Sequence, residues 1–282
     1  MILVTGATGN VGRHLVGLLS KAGIPFRAFV RDPARARGVL GPTVQLAEGD
    51  FAEPATLDAA LGGIDRMFLL SGNSELELAA VEAAVRAGLG RVVKQSALAV
   101  GLDPPPFHRR IEETLESSGL GFTHLRPTAF MQTLAGYLPA LIDAEGVFRL
   151  PAGGGRVAWV DTRDIAAVAF RALTEGGHEG KAYPITGPEA LSMAEVAEIF
   201  SAATGRRIRY EDVPAAKAHE LMVENGLSAP FADFLVAFYG LVRDGATDFV
   251  TQTVPEATGA PGWTFAAFAE EHASGFVAGK AG

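Results

Sequence analysis

Apolar and polar positions along the chain repeat in one order: a short apolar run, a glycine-rich or polar stop, then apolar residues three and four apart. Ile2-Leu3-Val4 is the first such run and reads as a buried strand. After it comes Gly6-Ala7-Thr8-Gly9-Asn10-Val11-Gly12. Apolar residues at 11, 15, 16, 18 and 19 then make a helical stripe, which Gly23 closes. Further strands are predicted at Pro25-Phe26-Arg27-Ala28-Phe29-Val30, Val44-Gln45-Leu46-Ala47 and Met67-Phe68-Leu69-Leu70. A fifth opens at Arg91-Val92-Val93 and reaches Gln95-Ser96, and Phe122-Thr123-His124-Leu125-Arg126 is the sixth. The long helix before the fifth carries apolar residues at 76, 78–81, 83–85 and 87. Strands that alternate with helices about every 20–25 residues specify a parallel sheet with right-handed crossovers. The expected class is α/β, a Rossmann-type doubly wound parallel sheet.

From about residue 130 the pattern shortens. Strands are predicted at 157–160, 183–185 and 207–209, and helices at 162–174, 192–203, 214–224, 228–243 and 264–277. Ser192 and Glu195 have capping-box spacing, and Asp161 or Thr162 starts the helix that carries Asp164. Gly153-Gly154-Gly155 reads as a turn and a mobile flap. The division is therefore 1–130 for a doubly wound domain, to which later segments can return, and 131–282 for a smaller α+β part.

Composition narrows the function classes. Hydrophobic residues make up 48% and charged residues 20%, which excludes general disorder. No apolar run approaches the ~18 residues of a membrane span. The start lacks the basic region of a secretory signal, so a cytoplasmic protein is expected. A net charge of −8 argues against a broad nucleic-acid surface. The short basic cluster Arg206-Arg207-Ile208-Arg209 reads as a solvated strand edge. Absence of cysteine excludes disulfides, thiolate nucleophiles and Cys-bound zinc. The six histidines show no HxxxH or HExxH spacing, and no metal is expected.

A glycine loop between a strand and a helix suits a dinucleotide. Gly6 permits the tight turn, Gly9 lets backbone approach a pyrophosphate, and Gly12 lets helix and strand pack closely. The amides at the helix start then face the phosphates, with Thr8, Asn10 and Val11 in the same loop. Arg31 at the end of the second strand suits the extra phosphate of NADP, whereas an inward acid would repel it. Asp32 is read instead as the cap of a helix that begins at Pro33. NADP(H) is expected in preference to NAD(H), and Arg35 and Arg37 read as solvated. Asp50 could accept from an adenine amino group or cap the helix near Pro54. With Ser71 and Ser96, all these positions fall on one rim, beyond the carboxyl ends of the strands.

The chain resembles the NmrA-like branch of the atypical short-chain dehydrogenase/reductases, in particular its NADPH-dependent quinone-reductase and triphenylmethane-reductase types. The glycine loop, Val30-Arg31-Asp32-Pro33, Gly49-Asp50 and His108-Arg109-Arg110-Ile111-Glu112 carry the likeness. So do Leu125-Arg126-Pro127, Trp159-Val160-Asp161-Thr162-Arg163-Asp164-Ile165-Ala166, Ile185-Thr186-Gly187-Pro188-Glu189-Ala190, Trp263-Thr264-Phe265 and Phe268. The resemblance implies NADP bound by the amino-terminal part and a variable pocket above the nicotinamide. It implies reductases, and also regulators that bind dinucleotide without turnover. A non-catalytic redox sensor acting through a protein partner is therefore the alternative, and it must bind the two redox forms with different affinity.

The Tyr-x-x-x-Lys of ordinary short-chain dehydrogenases is missing; none of Tyr137, Tyr183, Tyr210 and Tyr239 has that pattern. His108 and Glu112 stand near its place, four apart on one helix face, and with Ser96 they are the candidate catalytic group. The histidine could move a proton, with the carboxylate orienting it or raising its pKa. The other reading is a surface pair after Pro104-Pro105-Pro106. Pro127 and Thr128, with Phe130, are expected near the nicotinamide; Gln132 stands where family members often carry Asn. Arg126 is expected to pair with a carboxylate bridging the domains. Phe231, Phe234, Phe238 and Tyr239 share one helix as core and pocket wall, which suits a small, planar, apolar acceptor. A homo-oligomer is compatible with this reading.

Overall fold

The computed structural model describes residues 1–98 and 103–277. The first half runs β1 (Ile2–Val4), α1 (Gly12–Lys21), β2 (Phe26–Val30), α2 (Pro33–Leu40), β3 (Leu46–Glu48), α3 (Pro54–Ala60), β4 (Arg66–Leu69), α4 (Ser74–Arg86), β5 (Arg91–Gln95), α5 (Pro106–Glu116) and β6 (Gly121–Pro127). The second runs α6 (Met131–Leu141), β7 (Val147–Leu150), β8 (Arg156–Val157), α7 (Thr162–Thr174), β9 (Lys181–Ile185), β10 (Leu191–Ser192), α8 (Met193–Thr204), β11 (Arg209–Asp212), α9 (Ala215–Glu224), α10 (Ala229–Arg243), α11 (Thr253–Thr258) and α12 (Phe265–Val277).

The main sheet has the order β3-β2-β1-β4-β5-β6-β9, and every pair in it is parallel. It is the expected doubly wound sheet, with the order reversing between β1 and β4. One face is covered by α1 and α7 around Leu15, Leu19, Ile165 and Ala169. The other is covered by α3, α4 and α5 around Leu57, Val81, Ile111 and Leu115. The apolar stripe of α1 faces inward as its periodicity predicts: Leu15, Val16 and Leu19 are buried while Arg13 and Gly17 are exposed. A third core, from Met131 to Phe276, gathers α6, α8, α10 and α12.

Several elements differ from the pattern reading. The strand expected at 183–185 is β9, which crosses back as the seventh strand, beside β6. The third strand starts at Leu46 rather than Val44, because Val44 is a buried residue in the approach to it. Of 157–160 only β8 is regular; Val160 forms a single bridge to Phe130. The strand expected at 207–209 is β11, displaced to Arg209–Asp212 and parallel to β7, which the pattern did not predict. These short strands pair across more than 30 residues of sequence, so neighbouring residues carry little of their signal. Of the three glycines at 153–155, the first and last are pinned, so the turn is not a free flap. The Gly153 N–H donates to Asp212 Oδ1 at 2.9 Å, and a Cβ on Gly155 would lie 2.0 Å from the Val242 carbonyl. No helix among the described residues is long and apolar enough to cross a membrane.

Candidate active site

The rim at the carboxyl ends of the strands begins with the glycine loop. Gly6 has φ +59°, and a Cβ there would stand 3.0 Å from the Leu70 carbonyl. Gly9 donates its N–H to the Gly6 carbonyl at 2.9 Å, closing the turn. A Cβ on Gly12 would lie 2.1 Å from the same carbonyl, so only glycine lets α1 start against β1. Thr5, which the sequence did not single out, fastens the loop to β4: its Oγ1 donates to the Phe68 carbonyl and accepts the Leu70 N–H, both at 2.9 Å.

Gly6, Thr8, Arg31, Asp50 and Ser71 line one cleft of about 430 Å³, as the sequence placed them. Gly9, Asn10, Val11 and Gly12 are not among the residues that line it; Asn10 is exposed, while Val11 and Gly12 are buried. Among the described residues, the amides of Thr8, Asn10 and Val11 meet no protein acceptor. An electropositive turn of this kind fits a pyrophosphate, and the glycine cradle fits the close approach of one. Gly49, Phe29 and Phe51 form the far wall, the two rings meeting edge-on at 5.3 Å. A Cβ on Gly49 would strike the Phe29 ring at 2.5 Å.

The polar residues of the cleft divide by what already engages them. The Asp32 carboxylate caps α2, accepting the Arg35 N–H at 2.9 Å, which leaves Arg31 as the basic residue among those lining the cleft. Arg37 turns away to the Pro42 carbonyl at 2.8 Å. One Asp50 oxygen accepts the Ala52 N–H at 2.9 Å; Glu53, not Asp50, is the N-cap of α3. The Ser71 hydroxyl donates to the Asn73 carbonyl at 2.8 Å, and its N–H donates to Glu77 Oε1 at 2.6 Å.

Beyond Ser71 the rim becomes apolar. A cavity under Ser71, Gly72 and Asn73 is also bordered by Phe107 and His108. Those two residues border a second cavity of about 450 Å³ lined by Thr128, Ala129, Phe234 and Phe238. The same four residues, with Pro127, Phe130 and Tyr137, wall a third. Thr128 is anchored rather than free, its hydroxyl donating to the Ala158 carbonyl at 2.6 Å. Gln132 is structural: its Oε1 accepts the Thr162 N–H at 3.1 Å, joining α6 to α7. On α10, Tyr239 is fully buried and shares a hydroxyl contact with Tyr137, while Phe234 is 60% exposed at the pocket mouth. Burial pushes both phenols above their ordinary range, which keeps them protonated.

Of the candidate group, Ser96 and Glu112 meet, the serine side chain helping to hold the carboxylate ionised, whereas His108 turns to a different partner. Glu112 is fully buried and holds Arg126, with Nη2 2.6 Å and Nε 3.0 Å from its two oxygens, and Arg109 at 3.0 Å. Burial works to raise its pKa, yet the Arg126 guanidinium prevails and holds it below the usual carboxylate range. Arg126 thus finds its carboxylate on α5, not across the domains. Ser96 is buried at the end of β5 and borders none of these cavities. His108 is half-buried on α5, and its partner is Lys94: Nδ1 lies 3.4 Å from the lysine Nζ. Burial first, then the lysine charge, pushes the His108 pKa down to about 4, against a weaker pull upward from Glu112. The ring is therefore neutral at physiological pH.

Lys94 and Glu77 escaped the sequence reading. They form an ion pair of 2.7 Å, with side chains 0% and 2% exposed. The signal was available: a charged residue in a central strand buried on both faces must have a partner. Glu112, Glu116 and His124 also gather within 4.8 Å. Arg109 and Arg126 already hold those carboxylates, and a cation would have to displace them. Asp161 caps α7, and Asp164 accepts the Trp263 N–H at 2.9 Å, with burial pushing its pKa up to about 6.

Comparison with known proteins agrees with this geometry. An NAD(P)H azoreductase of Xenophilus azovorans is 42% identical over 99% of this chain and 100% of its own length. The NADPH-dependent quinone oxidoreductase of Escherichia coli, solved in complex with NADPH, superposes with a TM-score of 0.88. It is 28% identical, over 96% of this chain and 99% of that one. The triphenylmethane reductase of a Citrobacter species, solved with NADP(H), shares the fold: TM-score 0.87 at 24% identity, over 97% of this chain and 100% of that one. Residues 1–238 match the NmrA-like family, and the chain belongs to it.

Proposed function

We propose that this NAD(P)H-dependent oxidoreductase takes hydride from NADPH, in preference to NADH, and delivers it to a planar conjugated acceptor of the azo or quinone class. The observation that carries the reading is the run of adjoining cavities along one rim. Ser71, Gly72 and Asn73 are shared by the polar cleft and the next cavity, Phe107 and His108 by that cavity and the apolar pocket. The polar cleft and the apolar pocket are thus neighbours, joined through the residues that border the cavity between them. The preference for NADPH rests on Arg31, the basic residue among those lining the cleft, with Asp32 spent as a cap.

The chain's own residues bind and orient. The loop amides hold phosphate, Arg31 takes the additional phosphate, and Phe234 and Phe238 present an apolar wall to a flat ring system. Holding the two reactants in register supplies most of the acceleration for acceptors that need little acid assistance. The azoreductase and quinone oxidoreductase relatives support both the cofactor class and the acceptor class.

The test is cofactor oxidation by the purified protein against a panel of quinones, azo dyes and conjugated carbonyls, with NADPH and NADH in parallel. Saturable turnover on quinones or azo dyes with a higher kcat/KM for NADPH is expected. Tight NADPH binding with no acceptor reduced would overturn the reading, as would equal use of the two cofactors overturn the preference.

A further inference from the structure

Lys94 stands on β5 with its ammonium in a closed compartment between α4 and α5. It is paired with Glu77 Oε2 at 2.7 Å, donates to the Gln95 carbonyl, and lies 3.4 Å from His108 Nδ1. The other Glu77 oxygen accepts the Ser71 N–H at 2.6 Å. One carboxylate and one ammonium therefore connect the turn that closes the cofactor cleft to the histidine that borders the acceptor pocket.

An ammonium has donors only. The ring nitrogen facing it must offer a lone pair, which puts the His108 proton on Nε2. The groups around the ring favour the neutral form on balance, with only a weaker opposing pull from Glu112. Lys94 on β5 and burial both disfavour a second positive charge there. Glu77 on α4 is spent on Lys94 and Ser71. Glu112, on the same helix as His108, is spent on Arg126 and Arg109. The wall across the pocket, Phe234, Phe238, Leu241 and Phe249, carries no charge. Burial pushes the Lys94 pKa down, and Glu77 is the foremost group that pulls it back up.

We propose that Lys94, held charged by Glu77, is a positioning residue that fixes His108 as a neutral Nε2–H donor to the quinone oxygen or azo nitrogen of a bound acceptor. The acceptor's identity rests on the reductase reading; the state of the histidine does not. A neutral donor of fixed tautomer gives a hydrogen bond that is unchanged from mildly acidic to alkaline pH.

The experiment uses the full-length chain labelled with [15N]histidine, with long-range 1H–15N correlation spectra from pH 4 to 9. The His108 signals are assigned by their loss in His108→Gln. The wild type should show His108 as the Nε2–H tautomer, neutral from pH 5 upward. In Lys94→Met the ring should titrate above its wild-type value, with burial still holding it below the ordinary 6.5, and should populate both tautomers. With menadione and NADPH, kcat should fall about tenfold, the KM for NADPH should hold within about twofold, and the rate profile should gain an inflection near the new pKa. Lys94→Arg should restore the tautomer and most of kcat. Should Lys94→Met fail to fold with Glu77 stranded, the double variant Lys94→Met/Glu77→Leu removes both charges and should give the same spectra. A wild-type ring that is Nδ1–H or titrates near 6.5, or a tautomer unmoved in the double variant, overturns the proposal. Expected spectra from a wild type that reduces no acceptor would instead overturn the reductase reading, and with it the hydrogen bond to an acceptor.

Discussion

The polar and the apolar ends of the rim are both parts of one site, but they are built in opposite ways. At the polar end, a single stretch of seven residues makes the turn, and backbone does the work: φ +59° at Gly6, and no room for a side chain at Gly12. At the apolar end, residues from α4, β5, α5, β6 and α10 meet, and side chains do the work through Lys94, Glu77, Glu112 and Arg126. The first end tolerates no change in shape. The second tolerates no change in how charges are partnered. Each end can be broken by a substitution that leaves the other standing, which is how the contrast can be tested.

The largest expected effect is at the backbone end. Gly12→Ala places a methyl 2.1 Å from the Gly6 carbonyl, where no flexible side chain can give way. The start of α1 must move off β1, with a loss of about 3 kcal/mol or more. Thermal unfolding and NADPH titration should show a lower Tm and no saturable binding. Gly17→Ala in the same helix is the control, since that position is exposed and nothing lies within 4 Å of it. It should raise stability by about 0.5–1 kcal/mol and leave binding unchanged. Equal behaviour of the two variants would mean that close packing at Gly12 is not what the loop requires.

Next in size is the carboxylate at the other end. Glu112→Leu removes the group that faces two guanidinium ions in a dry setting, at a cost of about 3 kcal/mol. The Glu112 pKa is lower folded than unfolded, so its stabilisation is complete above the ordinary value of 4.5 and is lost as pH falls through the folded pKa. The Tm gap between wild type and variant should therefore be full at pH 7 and narrow below pH 4.5. Turnover per folded molecule should fall far less than in His108→Ala. A larger loss of kcat than of stability would return Glu112 to the chemistry.

This contrast also explains what could be read from the sequence. A glycine's freedom and the period of α1 are properties of single residues at fixed short spacing. The loop, the sheet and the Asp32 cap were all legible for that reason. The His108–Glu112 spacing was legible too, but the partnership was not: α5 lies where β5 and β6 offer Lys94 and Arg126, and those two decided which group each residue meets. Lys94 looked like an ordinary member of Arg91-Val92-Val93-Lys94-Gln95. Its meaning appears only once β4 and β6 close over both sides of the strand. The same holds for β9, legible as a strand while its place beside β6 was not.

A smaller effect separates shape from charge at the polar end itself. Arg31 lines the cleft but shapes nothing, since it is exposed and caps no helix. Arg31→Ala should leave stability within about 0.5 kcal/mol of wild type. NADPH binding should weaken about tenfold, equivalent to about 1.4 kcal/mol, while NADH weakens less than about twofold. Fluorescence titration with both cofactors decides it. Equal losses would show that Arg31 grips a part common to the two dinucleotides.

The smallest effect is expected at the mouth of the apolar pocket, where Phe234 and Tyr239 share α10 but not a role. Tyr239 is fully buried and bonded to Tyr137, so it belongs to the third core. Phe234 is 60% exposed and borders both apolar cavities. A ring that stays largely in water gives up little apolar surface on folding and keeps most of its surface for a ligand. Phe234→Ala should therefore leave stability within about 0.5 kcal/mol. It should raise the KM for an apolar quinone about threefold, or about 0.6 kcal/mol, with the NADPH Kd unchanged. A threefold change confined to the acceptor would mark α10 as the wall that selects it. A loss of stability instead would make Phe234 a core residue like Tyr239, and the acceptor would have to be held by α5 and the residues after β6 alone.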